Sequence, residues 1–148
     1  MSEKISVTVS HRFEASAERV YDAWLDPEKV RIWMPTAMRK MGLTGELGRI
    51  EVDARVGGRF LFSDIRDGVE AKHFGTYLEL VRPSKIVFTW MMDDADESDP
   101  SKVTLTIQPE GSGCVATIVH EIDSEWADFT DQTKNGWHCM LQAIADNN

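Results

Sequence analysis

Near residue 50 the hydrophobic pattern of this chain changes period, and near residue 124 it changes back. Between those points apolar side chains recur every second position, which places them on one face of a strand. Beyond them Trp126, Phe129, Thr133, Trp137, Met140 and Ile144 recur at helical spacing. Ser124 is positioned to cap that helix, with Glu125 and Asp128 in its first turn, where the helix dipole favours acids. A strand-rich body closed by a C-terminal helix is the only simple way to bury both patterns.

Residues 5–13 add one strand before the change: Ile5, Val7, Val9, His11 and Phe13 share a face opposite Ser6, Thr8, Ser10 and Arg12. Ser16 caps a helix over Ala17–Leu25, with Val20 and Trp24 one turn apart. Asp26-Pro27 starts a second helix carrying Val30, Ile32, Trp33 and Met34, and Pro35 is expected to end it. An irregular stretch, 36–48, then holds Met38, Met41 and glycines 42, 45 and 48.

The alternating region begins with Ile50, Val52, Ala54 and Val56, turns at Gly57-Gly58 and returns through Phe60 and Phe62. Asp67-Gly68 turns into a long strand over 70–81, and Pro83-Ser84 separates it from a strand over 86–92. The acidic loop 93–101 leads to Val103, Leu105 and Ile107, and Gly111-Ser112-Gly113 turns into the last strand, 114–122. Seven strands joined mainly by tight turns give an antiparallel sheet. The fold class is α+β, with two short helices after the first strand and the terminal helix covering one face of the sheet.

At 148 residues the chain has the size of a single domain, assigned here to 1–148, large enough to bury a core without a metal or disulfide. Cys114 and Cys139 stand in no metal or redox spacing and read as two buried thiols. The first residues hold no apolar stretch of signal-peptide length, and no run of 18 apolar residues occurs, which points to a cytoplasmic protein. A net charge of −9 argues against nucleic acid and against an anionic membrane surface. The histidines at 11, 73, 120 and 138 match no zinc motif, and the acidic loop lacks the glycine and glutamate of a calcium loop. Phosphate-loop, dinucleotide and nucleophile-elbow motifs are missing too, so no metal and no cofactor is expected.

Several segments resemble START-like (SRPBCC) proteins, within them the branch of the activator of the heat-shock-protein-90 ATPase. They are Phe13-Glu14-Ala15-Ser16, Trp24-Leu25-Asp26-Pro27-Glu28, Trp33, Asp53 to Phe60, Gly75-Thr76-Tyr77-Leu78-Glu79, Thr89-Trp90 and Gly136-Trp137. In order and spacing they span about residues 5–145. The resemblance implies a helix-grip fold, a curved seven-stranded antiparallel sheet wrapped around the long C-terminal helix, with a cavity between them. That superfamily includes apolar-ligand carriers, polyketide cyclases and drug-sequestering proteins.

Opposed inward stripes rich in large aromatics make a small hydrophobic ligand the leading partner, with Trp33, Phe62, Tyr77, Phe88, Trp90, His120, Phe129, Trp137 and Met140 as its lining. Met38, Met41, Gly42 and Gly45 are the candidates for a moving lid. Gly136 inside the terminal helix suggests a close approach to its backbone. No catalytic residue is assigned. Should the chain be an enzyme, cyclase-like or otherwise, His120 is the acid–base group. The branch name adds a chaperone contact as a third reading. Monomer and homodimer both remain open.

Overall fold

Ile5, Val7, Val9 and Phe13 turn inward along β1 (Lys4–Phe13) while the serines, threonine and arginine between them face solvent. The computed structural model describes residues 4–43, 45–92 and 101–147, without the side chains of Glu125 and Trp126. Trp126 in the terminal stripe and most of the acidic loop therefore lie outside the described residues. Helix α1 (Ala17–Leu25) starts where Ser16 Oγ accepts the backbone N–H of Arg19. Helix α2 starts one residue later, at Pro27, where Asp26 Oδ1 accepts the N–H of Glu28. Both starts follow the capping chemistry read in the sequence.

Helix α2 does not stop at Pro35 but runs through it to Lys40. Proline removes one helical hydrogen bond. Here Val30, Trp33, Met34, Ala37 and Met38 form one buried stripe that continues across it, packed towards α1, the terminal helix and the sheet. Strands follow as β2 (Leu47–Val52), β3 (Arg59–Arg66), β4 (Val69–Val81), β5 (Lys85–Trp90), β6 (Ser101–Glu110) and β7 (Gly113–Asp123). Ala54 and Val56 fall in the turn rather than in β2. There Gly57 takes a positive φ and its N–H bonds to the Tyr77 carbonyl, pulling the chain out of the ladder.

All neighbouring strands are antiparallel, in the order β1-β7-β6-β5-β4-β3-β2. The sheet curves around helix α3 (Thr130–Asp146), the α+β helix-grip arrangement. Ser124 opens a 3₁₀ turn, Ser124–Phe129, instead of capping α3 directly. The core sits between the concave sheet face and the three helices. Among the described residues no helix is long and apolar enough to cross a membrane.

Candidate functional site

Strand register gathers the aromatic residues of the concave face. Phe60 and Phe62 on β3 lie opposite Gly75 and His73 on β4, and Tyr77 lies opposite Phe88 on β5. A Cβ at Gly75 would sit 1.9 Å from the Thr89 carbonyl oxygen, so β4 and β5 approach here only because that residue is glycine. Phe60 is the hub, with ring centroids 5.3 Å from Phe62 and Tyr77, 5.5 Å from Phe88 and 6.1 Å from Trp90. Trp137 on α3 closes the belt from the helical side, 4.9 Å from Trp90 and 6.3 Å from Trp24.

A cavity of about 10 Å³ remains between the rings, lined by Trp24, Leu25, Phe60, Phe62, Tyr77, Ile86, Phe88 and Trp90. That is room for roughly one water molecule. The ligand-sized gap expected from the resemblance is thus filled in this conformation by the aromatic side chains themselves. Large rings on facing elements interdigitate to the density of any protein core. Trp90 is the half-buried member of the belt, stacked on His73 at 5.2 Å, and Phe60, Phe62 and Tyr77 are buried. Among the described residues no charged side chain lines the cavity. Burial pushes the Tyr77 phenol well above its ordinary pKa, so it too is neutral.

His120 is buried on β7 between Val7 and Val103, in a chain of hydrogen bonds that ties the helix to the sheet. Trp137 Nε1 donates to His120 Nδ1 at 3.1 Å, which places the imidazole proton on Nε2. Nε2 meets Ser101 Oγ at 2.9 Å, and that hydroxyl donates to the Trp90 carbonyl at 2.7 Å. Burial lowers the His120 pKa to about 4, so it is uncharged at neutral pH. With both ring nitrogens occupied, it is built as a link between elements.

Of the residues expected to line a site, Phe62, Tyr77, Phe88 and Trp90 border the cavity, and His120 and Trp137 stand directly behind it. Trp33 lies one layer away, donating to the Ala23 carbonyl at 2.7 Å and packing edge-on against Trp24. Met140 is buried in the core without bordering the cavity. Phe129 is 45% exposed in the 3₁₀ turn and is not brought to the belt. Trp24, Leu25, Phe60 and Ile86 also border the cavity, though none is among the lining residues read from the sequence. Phe60 was within reach, since it shares strand parity with Phe62.

Met38, Met41 and Gly42 belong to the C-terminal end of helix α2, and Gly45 lies beyond it against β3. Gly42, at φ +81°, donates to the Arg39 carbonyl, and Leu43 donates to the Met38 carbonyl, the paired bonds of a Schellman cap. Met38 is buried, and a Cβ at Gly45 would collide with the Ile65 carbonyl oxygen. At Gly136 the expectation of a close approach is overturned among the described residues, because a Cβ there would meet none of their atoms within 4 Å.

A model of the family described as activator of Hsp90 ATPase homolog 1-like protein matches residues 14–147. A solved protein from Chromobacterium violaceum is 30% identical, with a TM-score of 0.77 over 95% of this chain and 94% of that one. The AHSA1-like protein from Aeromonas hydrophila shares the fold at 19% identity and TM-score 0.76, over 96% of this chain and 90% of its own. An HSP90 activator from Plasmodium falciparum shares it more loosely, at 23% identity and TM-score 0.56, over 78% of this chain and 71% of that one. No curated protein matches the chain. Matched over nearly its whole length, the chain belongs to the family of activator of Hsp90 ATPase homolog 1-like proteins.

Proposed function

We propose that the aromatic belt is the closed state of a binding chamber that admits a small apolar guest when Trp90 swings outward. The observation that carries this reading is the contrast between a buried, charge-free set of rings and the one half-buried ring at its rim. A bicyclic guest burying about 300 Å² gains roughly 7 kcal/mol before association costs. Displacing Trp90 gives up its contacts with His73, Phe60 and Trp137, at about 1 kcal/mol each. The balance of about 4 kcal/mol, before association costs, leaves affinities in the millimolar range or weaker.

Titration with the neutral naphthalene dye prodan, followed by its emission shift, tests the reading. Uptake is expected in the wild type, with roughly tenfold tighter binding in Trp90→Ala, which removes the ring that must move. Absence of uptake up to the solubility limit in both proteins ends the proposal. Proton transfer by His120 is less well supported, because a base with a pKa of about 4 and no free nitrogen has little to offer at neutral pH.

A chaperone-associated role is the second reading, supported by the family description and by the fold shared with the Plasmodium activator. It predicts co-elution with purified Hsp90 in size-exclusion chromatography. Separate peaks at micromolar concentrations would end it.

A further inference from the structure

Trp24 is only 4% exposed, and its indole Nε1 has no hydrogen-bond partner among the described residues. Buried indole N–H groups ordinarily find one. Trp33 donates to the Ala23 carbonyl and Trp137 to His120, so among the buried tryptophans described the orphaned donor belongs to Trp24, one of the two that border the cavity. Among the described residues no polar group around the chamber answers it. We infer that the guest of this chamber is neutral and carries one hydrogen-bond acceptor, a carbonyl or ether oxygen, which receives the Trp24 N–H. This inference rests on the chamber reading above and adds the chemical class of the guest.

The lining supports the charge assignment independently. An anion would enter without a cation to face it, and its loss of hydration would go uncompensated. A cation would gain from the ring faces, but it would leave the Trp24 donor without an acceptor. A flat neutral molecule with one acceptor meets every requirement. It matches the rings in shape, and it satisfies a donor that the closed state leaves unmet.

The test compares 2-acetonaphthalene with 2-isopropenylnaphthalene, which replaces the carbonyl oxygen by a methylene of nearly the same shape. Both are titrated into the wild type and Trp24→Phe, and the four affinities form a cycle that cancels the difference in hydrophobicity. The preference for the ketone is expected to be roughly three- to thirtyfold greater in the wild type than in the variant. In the wild type alone, the ketone is expected to move the Trp24 indole proton downfield in a ¹H–¹⁵N spectrum while the alkene leaves it in place. That measurement stands even if Trp24→Phe fails to fold. Binding of both compounds with an unmoved Trp24 indole, or with equal preference in the two proteins, overturns the inference and leaves the chamber standing. Binding of neither compound removes the chamber and the inference with it.

Discussion

His120 keeps its place by staying uncharged, and this fixes how the protein responds to acid. Its pKa of about 4 in the folded protein lies below the ordinary 6.5, so the unfolded chain takes up the proton first. The corresponding stability is fully present above pH 6.5 and is lost as pH falls towards 4, on the order of 3 kcal/mol in all. Burial lowers His73 and His11 as well, which adds loss of the same sign. Urea midpoints measured at pH 7 and pH 4.5 should therefore differ, and His120→Gln should shrink the difference, since its amide oxygen can still accept from Trp137. An unchanged pH dependence would remove the assignment. Gly136→Ala is expected to raise stability by about 0.5–1 kcal/mol, read as a higher melting temperature, because the added methyl meets open space. The inward position of His120 was legible in its strand parity with Ala116 and Ile118. Its partners were not, because Ser101 and Trp137 arrive from other elements and no local pattern announces such a meeting.

Helix α2 shows where local rules yield to packing. Read alone, Pro35 ends the helix. In the fold, burial of Trp33, Met34 and Met38 at roughly 2 kcal/mol each outweighs the ~3 kcal/mol that an interior proline costs. Pro35→Ala should accordingly stabilise the protein by about 1–3 kcal/mol in chemical denaturation. A loss of stability would mean instead that the break at Pro35 is needed to seat α2 on α3. Gly42→Ala tests the other end of the helix and should cost about 1 kcal/mol, because alanine is strained at φ +81°. The strands were easier to read than this helix. Alternation in Ile5–Phe13 and Phe60–Phe62 reports directly on which face is buried, while the fate of a proline depends on neighbours distant in sequence.

Across the whole molecule, the order of elements and the antiparallel sheet were legible because short turns leave few topologies. The space inside was not. Whether facing rings meet or stand apart depends on rotamers, and the same seven strands accommodate either outcome. The orphaned Trp24 donor was equally beyond the sequence, because it is defined by what fails to reach it. If the chamber opens to a guest, the folded state is stabilised by mass action. Guest at ten times its dissociation constant contributes about 1.4 kcal/mol, an upward shift in melting temperature of roughly 3–5 °C. A thermal scan with 2-acetonaphthalene checks it, and an unshifted transition at saturating guest counts against binding to the folded state.

The bond from Ser101 to Trp90 is made to the carbonyl, so the backbone of that tryptophan is clamped and its indole is not. Movement at the rim then needs only torsion about side-chain bonds, with the ladder between β5 and β6 intact throughout. Traffic into such an interior would proceed on the clock of ring rotation, far faster than any parting of strands.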